Sequence, residues 1–149
     1  MEGNFMKKLT FIHAADLHLD SPMIGLKHLP QSIFQKLQES TFESLTKIVD
    51  AAIISHVDFV IFAGDLFDRE DRSIKAQSRF RKEMKRLAEM GIKVFVLHGN
   101  HDHLDARERT HLSMPDNVHI FSQHVEEITF ISSEGVSAKL YGFSYPKRH

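Results

Sequence analysis

The sequence predicts an α/β fold built on a βαβαβ parallel core. Three short apolar runs, LTFIHAA (9–15), FVIFAG (59–64) and KVFVLHG (93–99), are rich in β-branched and aromatic residues and do not alternate with polar ones. That is the pattern of strands buried on both faces of a parallel sheet. The two intervals between them carry apolar residues at helical spacing, and strand, helix, strand, helix, strand in that order makes right-handed crossovers.

Each element has its own signal. In the first interval Phe34, Leu37, Leu45, Ile48 and Ala52 recur at steps near 3.6, and Pro30 stands where its fixed φ opens a helix. In the second, Phe80, Met84 and Leu87 repeat the stripe, and Gly91 sits where a helix C-terminus takes a left-handed residue. Beyond Pro115 the runs shorten to NVHIFS (117–122), EEITFISS (126–133) and VSAKLYGFSY (136–145). The last two are joined by SEG and read as a hairpin, so the sheet is expected to end in mixed or antiparallel strands. Nothing repeats and no low-complexity linker intervenes, so residues 1–149 read as one unit.

Composition narrows the chemistry. The 149 residues are 42% hydrophobic and 26% charged, ordinary for a globular protein. With no cysteine, disulfides, thiolate metal sites and a cysteine nucleophile are excluded, so a metal would be held by His, Asp, Glu or Asn. The net charge of −1 gives no global positive field, and any binding to nucleic acid must be local. His13 and Asp16 interrupt the first apolar run before a signal peptide could form, and no run approaches the ~20 apolar residues of a membrane span. A cytoplasmic protein is expected.

In open α/β sheets ligands bind beyond the carboxyl ends of the strands. Here the first run ends in ADLH (Asp16, His18), the second in GDLFD (Asp65, Asp68) and the third in GNHDH (Asn100, His101, Asp102, His103). Asp16 and His18 are two apart, so an extended chain would point both the same way. Gly64 and Gly99 let the backbone turn and approach a ligand. Mixed oxygen and imidazole donors suit Mn, Fe, Zn or Mg. Two ions about 3.5–4 Å apart, bridged by a carboxylate, activate water and neutralise a phosphoryl group, and Asp65 on the middle motif is the natural bridge.

Other residues keep two readings. Asp68 either supports a ligand by a hydrogen bond or caps the second helix. His13 and His98, inside strands, read first as core histidines or supports for ligands and second as direct ligands, and Asp102 and His103 as substrate contacts or a surface turn. Arg72, Lys75, Arg79, Lys82 and Arg86 form a basic stripe that reads first as a solvated helix face and second as a track for a phosphate backbone. The roles of Asp20 and Ser21 are open.

DLH, GDLFD and GNHD, in that order at successive strand ends, resemble the first three motifs of the calcineurin-like metallophosphoesterases. The longer words HAADLHLDSP, GDLFDR and YGFSYPKRH resemble the SbcD-like DNA-repair exonucleases within that superfamily. The resemblance implies an αββα sandwich, of which this chain would be an N-terminal portion. It implies that Asp16 and His18 hold one metal, Asp65 bridges and Asn100 holds the second. His101 would be the catalytic acid. It further implies two Mn²⁺ ions, with Mg²⁺, Fe or Zn as alternatives, DNA as substrate, a homodimer and an SbcC-type coiled-coil ATPase as partner. The later His and the Gly-His-x-His motif that complete the family's site do not occur here, and His111, His119, His124 and His149 lie in other contexts. The chain is therefore expected to be part of a longer enzyme, with an incomplete site of its own. Two further readings stand beside this one: a related phosphoesterase acting on nucleotides or phosphoproteins, and a non-catalytic module for dimerisation and ATPase docking.

Overall fold

A computed structural model of the chain describes residues 7–26, 28–68, 73–101 and 112–146. The elements β1 (Phe11–Ala14), α1 (Gln31–Ile54), β2 (Phe59–Ala63), α2 (Ile74–Glu89) and β3 (Lys93–Leu97) follow one another as the sequence predicts. They build the expected parallel core, with Phe11 beside Phe59 and Phe59 beside Lys93 in register.

The next strand departs from expectation. β4 (Val118–Ile120) pairs parallel to β3, so the sheet has four parallel strands in the order β1-β2-β3-β4 and does not end in a mixed strand. The connection through residues 98–117 is long enough for a crossover, which a parallel pair requires. Asn117 anchors the new strand: its side-chain amide donates to the carbonyls of Met84 (3.2 Å) and Ile92 (3.0 Å). The antiparallel hairpin, β5 (Glu126–Ile131) with β6 (Ser137–Gly142), is a separate two-stranded sheet.

Three layers result. On one face of the parallel sheet, Val60, Phe62, Val94 and Val96 pack against Phe42, Leu45 and Val49 of α1 and Phe80, Met84 and Leu87 of α2. On the other, Phe59, Phe95 and Phe121 meet Ile128, Phe130 and Leu140 of the hairpin, with the Phe59 and Phe130 rings 4.9 Å apart in an edge arrangement. Burial on both faces therefore holds for β2 and β3. It fails for β1, the edge strand: His13 is exposed, which corrects its reading as a core histidine, and Phe11 is shielded on one side only, by stacking on Phe59.

The helices begin and end for local reasons. The Pro30 carbonyl accepts from the amides of Ile33 and Phe34, so proline is the N-cap of α1 itself. The first turns overhang the sheet, and Phe34 and Leu37 are only half-buried. Ser73 caps α2, accepting from the Ala76 amide at 2.9 Å, and Gly91 follows its C-cap with φ 70°. Among the described residues no helix is long and apolar enough to cross a membrane.

The basic stripe of α2 faces neither solvent alone nor a free groove. Lys75 and Arg79 both reach Glu39 of α1, at 2.7 and 3.0 Å, and lie over the Phe42 ring. Arg86 bridges Asp50 at 2.6 Å and Glu83 at 2.7 Å. Three of the stripe's positions are thus consumed in docking α2 on α1, because the two helices lie side by side; Arg72 is outside the described residues.

Two outcomes follow from this packing. Phe59→Ala removes the ring that joins edge strand, sheet and hairpin, and is expected to lower stability by about 3–5 kcal/mol in urea unfolding; a loss under about 1 kcal/mol would mean the hairpin layer does not depend on it. Between β4 and β5, Glu126 accepts from Ser122 and lies 3.0 Å from His119 Nε2. The hydrogen bonds from Ser122, with His119 adding to them, hold its carboxyl below the usual range. The sign is that of a depressed acid: its contribution is present at neutral pH and lost as pH falls below the ordinary carboxylate value. Glu126→Gln should flatten the acid limb of a stability profile, and an unchanged limb would contradict this.

Candidate metal centre

Parallel pairing brings the carboxyl ends of β1, β2 and β3 to one edge, and the hydrogen bonding continues past the strands. The amide of Asp16 donates to Gly64 O (3.2 Å), that of His18 to Asp65 O (3.0 Å), that of Leu19 to Leu66 O (2.9 Å), and that of Gly64 to Leu97 O (2.9 Å). The backbone here is not extended. Asp16, His18 and Asp65 are left-handed, with φ of 55°, 45° and 49°. This corrects the expected reason for the convergence of Asp16 and His18: they meet through a left-handed turn and not by alternation along a strand. Asp and His enter this region more readily than most residues, though each such position costs on the order of 1–3 kcal/mol. The hydrogen bonds to the β2 chain offset that cost.

The turns bring donor atoms together. One ligand atom each from Asp16, His18 and Asp65 lies within 4.8 Å of the others. His18 Nδ1 is 2.9 Å from Asp68 Oδ1, and the Ser21 hydroxyl donates to Asp68 Oδ2 at 3.2 Å. Of the two readings of Asp68, the hydrogen-bonding one is therefore observed, and Ser73 takes the cap. With Nδ1 held, Nε2 is the ring nitrogen left for a ligand. Asp20 accepts from the Ser73 hydroxyl at 2.6 Å, which ties the loop after β1 to the start of α2. Ser73, directly before a periodic apolar segment, carries an N-cap signal that the apolar pattern alone does not use; the pairing of His18 with Asp68 across fifty residues has no local signal.

The third strand end closes the site from the side. A β-carbon on Gly99 would overlap Asp65 Oδ1 and stand 2.7 Å from the Asp65 amide nitrogen, so only glycine fits. Gly64 serves differently, through its φ of 89°. The amide of His101 donates to Asp65 Oδ1 at 3.1 Å, and its ring lies edge-on to His18, centroids 5.5 Å apart. Asn100 is exposed and lines a cavity of about 440 Å³ with Gly64, Asp65 and Gly99. His98 is buried, its amide donating to Ser144 Oγ and its carbonyl accepting from Tyr145, as befits a core histidine. Asp102 and His103 lie outside the described residues.

Two carboxylates and one imidazole suit a divalent ion of intermediate hardness, and the missing β-carbon at Gly99 is what gives the Asp65 carboxylate its place among them. The residues fit a metal. A parallel α/β sheet with such donors at its carboxyl edge is the architecture of a metal-dependent phosphoesterase. Residues 9–145 match the family described as Calcineurin-like phosphoesterase, and the chain belongs to that family.

Relatives agree. The chain is 55% identical over 141 residues to the uncharacterized metallophosphoesterase YhaO of Bacillus subtilis, covering 94% of this chain and 34% of that protein. It is 35% identical over 97 residues to the DNA double-strand break repair protein Mre11 of Sulfurisphaera tokodaii (65% of this chain, 23% of that protein). It is 32% identical over 76 residues to a subunit of the nuclease SbcCD of Escherichia coli (50% and 19%). The chain thus spans about a third or less of the length of these relatives.

Substitution of the supporting residues should reveal the site. Asp68→Ala is expected to weaken Mn²⁺ binding by about 10–100-fold in calorimetry, as the His18 ring loses its anchor. Gly99→Ala, which displaces the Asp65 carboxylate, should weaken it at least as much. Unchanged affinity in both variants would mean that the cluster does not hold the ion.

Proposed function

We propose that this chain carries part of the metal centre of a Mn²⁺-dependent DNA nuclease that hydrolyses phosphodiester bonds. The observation that supports this most is the convergence of Asp16, His18 and Asp65 within 4.8 Å at the carboxyl edge of a parallel sheet. Membership in the phosphoesterase family supports the reaction type, and the similarity to a DNA double-strand break repair protein and to part of a nuclease supports DNA as substrate.

In this reading Asp16 and His18 hold one ion, Asp65 bridges and Asn100 holds the second. Divalent ions held there would supply Lewis-acid stabilisation of the phosphoryl charge and a lowered pKa for attacking water. The chain's own residues do the rest. Asp68 and Ser21 fix the His18 ring so that Nε2 is presented. The His101 amide holds one oxygen of Asp65, and the same residue carries its imidazole to the edge of the site, where it donates a proton to the leaving oxygen.

Residues 1–149 are the N-terminal part of a single nuclease domain in this proposal, since two ions take more donors than the three clustered here. The protein works in the cytoplasm as a homodimer with an SbcC-type coiled-coil ATPase; that the E. coli relative is one subunit of a nuclease supports the partner.

Cleavage of a labelled DNA duplex by the full-length protein with Mn²⁺ tests the reading. His101→Ala should leave Mn²⁺ affinity unchanged and slow turnover by about 10²–10⁴-fold, whereas Asp65→Ala should lose both. Full Mn²⁺-dependent cleavage by Asp65→Ala would overturn the proposal, and lost metal in His101→Ala would make that residue a ligand.

A further inference from the structure

The segment YGFSY, residues 141–145, is absorbed by none of the roles above. Its alternate residues face opposite ways. Gly142 and Ser144 are buried: a β-carbon on Gly142 would stand 3.0 Å from the Phe121 ring, and the Ser144 hydroxyl donates to Phe121 O at 2.6 Å. Tyr141, Phe143 and Tyr145, which alternate with these buried positions, are more exposed than Gly142 and Ser144. Tyr141 is 63% exposed and Phe143 51%, unusual for large rings two residues apart.

This row does not lie at random on the surface. Past β6 the chain runs on beside the end of β3, where the Tyr145 amide donates to His98 O at 2.8 Å. Tyr141, Phe143 and Tyr145 line the same cavity of about 440 Å³ as Asp65 and Asn100. The outermost ring is held in place, because Tyr141 stands across from Glu127 on β5 and shares a hydrogen bond with it, while Lys139 secures that carboxylate at 2.7 Å. A fixed aromatic face opening into a cavity beside a phosphoester-type site offers stacking and little hydrogen-bond readout, which is how single-stranded nucleic acid is held without sequence preference.

We propose that Tyr141 and Phe143 form a stacking platform for a nucleobase of the strand whose phosphate lies at Asp65. The placement of the phosphate rests on the phosphodiesterase reading above; the platform itself is a property of the end of β6 and the residue that follows it. It takes an unpaired base, since a base within a duplex offers no free face.

The probes are thymidine 5′-monophosphate, deoxyribose 5-phosphate and thymidine, titrated calorimetrically into the Mn²⁺-loaded protein and followed by tyrosine emission. The sequence has two tyrosines and no tryptophan, and both tyrosines line this cavity, so the emission reports on it. The nucleotide should bind on the order of tenfold more tightly than the sugar phosphate. That advantage should fall to within about twofold in Tyr141→Ala combined with Phe143→Ala, and survive in Tyr141→Phe, which keeps the ring and loses the bond to Glu127. Equal affinity of nucleotide and sugar phosphate in the unaltered protein, or an advantage untouched by the double substitution, would overturn the platform. Thymidine separates the two readings. Thymidine binding, read calorimetrically, that persists in Asp65→Ala and vanishes in the double variant sustains the platform even if phosphate and metal bind elsewhere; a platform that fails while sugar phosphate still binds leaves the phosphoesterase reading intact.

Discussion

The candidate site depends on a ladder of backbone hydrogen bonds that does not stop where the strands do. Parallel pairing of β1 with β2 ends at Ala14 and Phe62, yet Asp16, His18 and Leu19 continue to donate to carbonyls of the second chain segment. A regular strand would have turned successive side chains to opposite faces. The left-handed residues Asp16, His18 and Asp65 instead fold the two strand ends around one point while the amides of Asp16 and His18 stay paired. Glycine at position 99 is the complementary condition, since any side chain there would occupy the place of the Asp65 carboxylate. Strain and close approach are thus concentrated at the donors, the usual location for such conformations in a folded protein.

That local geometry needs a rigid base. The four-stranded sheet is held on one face by both helices and on the other by the hairpin, through Phe59, Phe95, Phe121 and Phe130. The hairpin is therefore more than a cover. Its buried positions fasten β6 to the sheet, and Tyr141, with Phe143 and Tyr145 just beyond the hairpin, lines the cavity beside Asp65. Exposed ion pairs contribute little to stability individually. The bridges from Lys75, Arg79 and Arg86 to α1 matter here mainly for setting how α2 lies, and the start of α2 is in turn tied to the Asp20 loop through Ser73.

Much of this was legible in the sequence, for identifiable reasons. Non-alternating apolar runs gave β2 and β3, because strands covered on both faces leave no room for polar residues. The same rule misjudged β1, an edge strand with exposed His13, since edge position is decided by pairing order and not by composition. The direction of β4 was hidden because three residues of strand carry no signal of parallel or antiparallel pairing. At the site, the residue types at three strand ends pointed to one crevice. Their left-handed backbone, the hold of Asp68 on His18 and the consumption of the basic stripe by α1 depend on contacts between distant segments, and no window of sequence contains them.

Paramagnetic broadening of backbone amide signals by substoichiometric Mn²⁺ is the most direct measurement of whether the strand ends form one metal centre. Loss of signal centred on Asp16, His18, Asp65 and His101, with the amides at the C-terminal end of α1 around Ile54 and of the hairpin turn at Gly135 unaffected, is the expected result. Broadening centred elsewhere on the chain, or none while the fold is intact, would contradict the convergence of these residues on a metal.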